Sequence, residues 1–447
     1  MIIRVKNPPS PYYMEIAEDI AGGLTRGPVS DYPDFTLDKD NIKAKGTSLN
    51  YFWAGFLIYS ASFALSTTTT VNYIFCQLFQ TLGLMLLVPA SIKLIQWKLE
   101  NSFLKIVYIT YCCWLIGVVL RGFSLDYGSI KFMLFDAEFG VLKYFVPLVL
   151  LFPMNLVFYK KLFNVIIILG IVFLLYDIIF RGNLLDLNYT NNNTKFTFEY
   201  FAKILSIPAG FIILTYVYHP LRRRLFALLI IIVGAGFALM RARRALLFMT
   251  VSPLVLSYLL YLYTGKRKIV ILFFSMFIGA FLLIYGIKVY RDNRNGMFAL
   301  ITERISENTR AGVEYNFYQD MTTRDWIVGK GINGQYYSPG IDLGSETGYR
   351  GMIETDYLNI ILKGGIISLV LLLMIAVPAI IKGLFFSTNL LSKAAALWIV
   401  IWCMELYPAN VNSFSLNHIL VWLSIGICYS KEIRNQSEST VTEALTL

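Results

Sequence analysis

The chain has 447 residues, of which 57% are hydrophobic and 15% charged, whereas an ordinary soluble domain is about 25% charged. These proportions exclude a soluble multidomain enzyme and a disordered chain, and 5 Cys are too few for a disulfide scaffold. The net charge of +11, from 39 Lys and Arg against 28 Asp and Glu, fits basic cytoplasmic loops of a membrane protein.

Residues 1–48 are polar, contain Asn7-Pro8-Pro9-Ser10-Pro11 and lack a cleavable signal, so they read as a cytoplasmic tail. Apolar stretches near 50–68, 71–94, 104–121, 140–158, 162–180, 201–218, 225–240, 245–264, 269–288, 357–381, 394–409 and 418–430 predict about twelve membrane-spanning helices. The expected fold class is an all-α polytopic membrane protein. Helices 1–9 fall in 49–288, one large extracytoplasmic loop in 289–353, helices 10–12 in 354–431 and a polar, disordered cytoplasmic tail in 432–447. No internal repeat of the kind seen in inverted-repeat transporters is visible. The turn-rich 182–200 loop, with Asn191-Asn192-Asn193-Thr194, suggests no chemistry.

Orientation follows the Lys/Arg bias. With both termini inside, Lys93, Lys98, Lys105, Lys160, Lys161, Arg222, Arg223, Arg224, Lys266, Arg267, Lys268, Lys382, Lys393, Lys431 and Arg434 face the cytoplasm. The opposite short loops hold a smaller set: Arg121, Lys131, Arg181, Lys195, Arg241, Arg243 and Arg244. Cys76, Cys112, Cys113, Cys403 and Cys428 read as apolar fillers, and His219 and His418 are too few for a His-based metal site. No nucleotide or zinc motif is present, so no cofactor and no metal is expected, and nucleic acid is not a partner.

Three constellations could carry chemistry. Arg241-Ala242-Arg243-Arg244 joins two spans on the outer side, where three guanidiniums repel one another and defy the charge bias. An anionic partner offsets both costs, and the guanidinium fork suits phosphate oxygens. The competing readings are a cytoplasmic turn in a frame shifted by one span, or snorkelling to ordinary headgroups. The outer loop carries Arg291, Arg294, Arg304, Arg310, Arg324 and Arg350 against the single Lys330, interleaved with Trp326 and several Tyr. Its acids Asp292, Glu303, Glu307, Glu314, Asp320, Asp325, Asp342 and Glu346 could pair with most of those arginines. Gly329-Lys330-Gly331-Ile332-Asn333-Gly334 looks superficially like a phosphate loop, but without a flanking strand and helix it reads better as a tight turn needing positive φ. Glu354-Thr355-Asp356-Tyr357 opens the tenth span; its carboxylates could be a general base or acids favoured at a helix N-terminus. Lys363, followed by Gly364-Gly365, is an ionisable residue inside a span, a position that usually faces a cavity or partner.

With these residues assembled, the chain resembles the O-antigen ligase/polymerase family of bacterial polysaccharide assembly enzymes. Ala242-Arg243-Arg244-Ala245-Leu246-Leu247 is similar to the family's Ser-Arg-Gly-Ala-Leu-Leu stretch, with Arg243 at the shared Arg. Arg310, then Trp326 and the 329–334 glycine segment, resemble the Arg, Trp and Gly-x-Gly order of the family's large periplasmic loop. The 354–367 segment resembles His-Asn-x-Tyr-Leu followed by an apolar run ending in Gly-Ile-Ile, with Glu354 where ligases carry His. The likeness covers about 235–375. The replacement of that His by Glu tilts the reading from ligase toward polymerase.

The resemblance implies a metal-independent, inverting glycosyltransferase, without cofactor, in the cytoplasmic (inner) membrane and acting on its outer side. Its partners would be an undecaprenyl pyrophosphate-linked oligosaccharide donor, a sugar acceptor, the lipid bilayer, and a chain-length regulator and flippase working beside it. Arg243, Arg244 and Arg310 would cradle the pyrophosphate, and Glu354, or else Asp356, would accept the acceptor's proton. Arg121, Arg241, Trp326 and Tyr357 are further substrate-binding candidates. The alternatives are an O-antigen ligase and, in another class, a flippase for lipid-linked oligosaccharides.

Overall fold

The computed structural model describes residues 39–68, 70–123, 125–182, 192–265, 268–293, 302, 310–339 and 348–446. Residues 39–47 begin the helix α1 (Lys39–Ser66), and the compact unit Ser48–Leu447 holds every later element. The expected N-terminal tail up to residue 38, and Lys266, Arg267, Arg294, Glu303, Arg304, Glu307, Asp342 and Glu346, lie outside the described residues.

The protein is mostly helical, and among the described residues eight helices are long and apolar enough to cross a membrane. They are α2 (Tyr73–Leu94), α3 (Ser102–Leu120), α5 (Leu156–Ile179), the stretch Thr197–Leu214, α8 (Leu221–Met240), α9 (Arg244–Thr264), α10 (Lys268–Asp292) and α13 (Asp356–Phe385). Between α2 and α10 in chain order lie the short α4 (Tyr127–Phe135), α6 (Asn192–Phe201), which runs through a π-turn at Ala202–Ser206, and α7 (Ala209–Leu214). Each of the eight matches an expected span. Of the other four, 50–68 falls on α1, while 394–409 and 418–430 fall on the 16-residue α14 (Leu390–Glu405) and the 14-residue α15 (Leu416–Tyr429). The 140–158 stretch departs furthest: Val141–Leu151 is a 3-10 helix of 11 residues, interrupted before α5 begins at Leu156. At 2 Å per residue it covers roughly 22 Å, short of a bilayer core.

The centre of the bundle is α15, whose residues are buried on every side apart from Gly426. A helix apolar all round belongs inside a core. It packs against α13, α14 and the 3-10 segment. Trp398, Trp402 and Trp422 are buried there, and His418 belongs to the same packing: Trp422 Nε1 donates to its Nε2 at 3.1 Å, and its ring stacks on Trp402.

Helix α13 is broken at Gly365, whose φ of 70° only glycine adopts freely. The break receives the arm that carries α11 (Ala311–Asp320) and α12 (Thr323–Val328). Lys330 N donates to Leu362 O at 2.8 Å and Gly331 N to Lys363 O at 2.9 Å, so backbone meets backbone. Gly329 and Gly331 take φ of 73° and 83°. A Cβ on Gly329 would strike Lys363, Gly364 and Gly365. The 329–334 glycine segment is therefore a positive-φ docking turn against a helix break. A small hairpin comes next, Tyr336–Tyr337 (β1) against Tyr349–Arg350 (β2).

The tail after Glu432, expected to be disordered, is helical instead. α16 (Lys431–Asn435) leads to α17 (Glu438–Leu445), which buries Val441 and Leu445 against the bundle. Asn389 Nδ2 donates to Ile433 O at 2.7 Å, and Leu390 N donates to Glu438 Oε2 at 2.6 Å. The polar sequence concealed two apolar residues spaced i, i+4, enough for one buried helical stripe.

Candidate functional site

The turn between α8 and α9 fixes the arginine tetrapeptide. Arg243 N donates to Ala238 O at 2.8 Å and Ala242 N to Leu239 O at 3.1 Å. That is the Schellman closure, which places the residue after the cap in the left-handed region. Here that residue is Ala242, at φ 51° and buried. A β-carbon there costs about 1 kcal/mol, and such local strain gathers at functional sites. The turn makes Arg243 the N-cap and Arg244 the first residue of α9. Cations are disfavoured at a helix N-terminus, which attracts anions. Both the guanidiniums and the helix end thus call for negative charge.

A cleft of about 190 Å³ opens here, and it gathers Arg243, Arg244, Arg310 and Glu354. Arg310 caps α11, its Nη2 donates to Pro408 O at 2.5 Å, and its Nε lies 3.7 Å from Glu354 Oε2. Glu354 is more than half exposed at the rim, 54% by side chain. Three motifs far apart in sequence thus meet in one cleft.

Three further members of this cleft, Glu138, Glu199 and Lys203, are not among the residues expected from the sequence. Arg243 Nη2 sits 3.2 Å from Glu199 Oε2, while Lys203 Nζ bridges Glu199 Oε1 at 2.9 Å and Glu138 Oε1 at 3.2 Å. The network ties the strained turn to the 197–214 helix and to the segment before the 3-10 helix. Burial lifts the Glu138 carboxyl above the usual carboxylate range, against the pull of the Lys203 ammonium. A signal existed: Glu199 and Lys203 are an i,i+4 acid–base pair in an otherwise apolar stretch. By formal charge, the cleft holds Arg243, Arg244, Arg310 and Lys203 against Glu138, Glu199 and Glu354, one positive charge in excess.

The remaining predicted residues lie elsewhere. Asp356 is fully buried, and its carboxylate accepts from Val411 N at 2.9 Å and Asn412 N at 2.8 Å, pinning the α14–α15 loop. It lines a separate small cavity of about 60 Å³ with Lys143, Lys363 and His418. Arg241 is buried as the C-cap of α8. Arg121 donates from Nη1 to Gly329 O at 3.3 Å and lies over Trp114, so it ties α3 to the docked arm. Trp326 stacks on Tyr318, and Tyr357 stacks on Tyr407, both half-buried in packing outside the cleft lining.

Among the described residues, no group of three or more His, Cys, Asp or Glu is placed to hold a metal ion. No known protein family matches the chain, and neither a curated protein nor a solved structure matches it.

Proposed function

We propose that the protein is a polysaccharide polymerase that transfers a glycan from undecaprenyl pyrophosphate to the sugar of a lipid-linked acceptor. One observation carries this reading: Arg243, Arg244, Arg310 and Glu354, chosen from three separate motifs, share one cleft. In this reading the arginine end of the bundle faces the outer side of the cytoplasmic membrane and both termini face the cytoplasm.

The chemistry is a single displacement with inversion. An acceptor hydroxyl oxygen attacks the anomeric carbon, the bond from that carbon to the pyrophosphate oxygen breaks, and the hydroxyl proton passes to a carboxylate. Arg243 and Arg244, at the N-terminus of α9, stabilise the charge that develops on the departing pyrophosphate, and Arg310 closes the cradle. Glu199 holds the Arg243 guanidinium in place. Glu354, at the rim beside Arg310, is the first choice to accept the proton. Glu138 is the second, because Asp356 is occupied by the amides of Val411 and Asn412.

The test is direct. Purified protein incubated with a lipid-linked repeat unit is expected to yield a ladder of products differing by one repeat and to release undecaprenyl pyrophosphate. A single product on a different acceptor assigns a ligase. Movement of the lipid across vesicles without any covalent change assigns a flippase and overturns the proposal.

A further inference from the structure

Next to the arginine cleft lies a larger cavity of about 490 Å³, which shares Phe139 and Met352 with it. Its lining includes the amino groups of Lys143 and Lys363 and, among the described residues, no carboxylate. Lys143 is buried and donates to Glu138 O at 2.9 Å; Lys363 Nζ donates to Gly334 O at 2.8 Å. Neutral carbonyls orient both groups; the carboxylates that act on Lys143, those of Asp356, Asp136 and Glu138, lie outside the lining of this cavity. One lysine comes from the 3-10 segment that replaces an expected span, the other from the turn of α13 just before its break at Gly365. Both departures from regular helix thus bring cations to one chamber. The rest of the lining is mixed: the Gln335 amide, the Ser129 hydroxyl and the Asn333 amide, whose nitrogen donates to Gly122 O, stand beside Phe132, Phe139 and smaller apolar groups, a combination that suits a sugar. A volume of this order accommodates a small saccharide.

We propose that this chamber is a saccharide subsite for a sugar bearing an anionic substituent, a carboxylate or a phosphate, held between Lys143 and Lys363. Two like charges facing one cavity repel each other, and an anion between them relieves that repulsion while forming charge-assisted hydrogen bonds. The inference rests on the polymerase reading and deepens it: the repeat unit is acidic, and its charged sugar lies beside the pyrophosphate cradle rather than in it.

Binding is read by saturation-transfer NMR on the purified full chain, with methyl β-glucuronide as probe and methyl β-glucoside as its neutral counterpart. The expected result is transfer to the glucuronide at least several-fold stronger than to the glucoside. That preference should vanish in Lys143→Met/Lys363→Met and persist in Arg243→Ala. The wild-type comparison stands even if the double variant fails to fold. Equal transfer to both probes, no transfer to either, or a preference kept in a folded double variant and lost in Arg243→Ala overturns the subsite. A ladder assembled from neutral repeats as readily as from acidic ones also overturns it and leaves the transferase reading intact. Binding of the glucuronide without any ladder from acidic repeats keeps the subsite and removes the polymerase.

Discussion

At one end of the bundle Arg243 meets Glu199 at 3.2 Å and Arg310 meets Glu354 at 3.7 Å, around a cleft. At the other end Arg223 donates to Asn164 Oδ1 at 2.9 Å, and Arg434 donates to Phe386 O at 2.7 Å. Arg222 there is exposed. Both ends are rich in arginine, yet the second uses neutral acceptors and solvent, which is how a chain anchors itself at a headgroup layer. The first sets cations against carboxylates at the ends of distant segments, and an excess positive charge remains. Holding opposite charges in a cleft carries a desolvation cost that anchoring does not require. The pairing is what separates a site from an anchor.

The first end suffers most if it loses its arm. Gly365→Ala would place a Cβ against Ile327 at a φ of 70°. It should cost about 3 kcal/mol or more, combining left-handed strain with a backbone clash. Thermal unfolding in detergent would register the loss, together with protease cleavage of the freed 310–339 segment.

A second contrast sets one arginine from each end against the other. Arg310→Ala removes the Glu354 partner and the tie to Pro408, and should slow transfer by about 10²-fold, the scale of one lost transition-state donor. Arg222→Ala should leave the rate within about twofold, as for an exposed surface change. Equal losses would erase the distinction between the ends.

The smallest effect concerns the second end alone. His219 is buried beside Thr215 and Phe163, and burial, then Arg223 and Arg224, push its imidazole down to about 3. The unfolded chain takes up the proton near its ordinary 6.5, so the native state loses stability as pH falls from there toward 3. At pH 5 the loss should be about 2 kcal/mol. Melting curves of the wild type and His219→Gln across that range should converge as pH falls, with the proposed transfer at neutral pH unaffected.

Much of the fold was legible because composition and apolar run length are one-dimensional properties. The eight long helices came directly from them. Lys143 marks where that logic stops: Val141–Leu151 is apolar enough for a span, but one buried ammonium and Pro147 sit in a 3-10 segment that lines cavities. Arg243 and Arg244 stood out because, with both termini placed inside, they would break the charge bias, whereas Glu138 and Glu199 obey no local rule and gain meaning only from Lys203 and Arg243 across the fold. Asp356 stood in the sequence as the alternative to Glu354, two residues earlier. The start of α13 separates them, leaving Glu354 at the cleft rim and turning Asp356 inward to the α14–α15 loop.

In the proposed reaction the Arg243 cleft expels a pyrophosphate. This expulsion is tested most directly by measuring undecaprenyl pyrophosphate release from a lipid-linked repeat unit by purified wild type, Arg243→Ala and Arg243→Lys. The account predicts release coupled one for one to chain extension in the wild type, none above background in Arg243→Ala, and a rate reduced by about tenfold or more in Arg243→Lys, whose ammonium cannot form the bidentate contact. Undiminished release by a folded Arg243→Ala protein would contradict it.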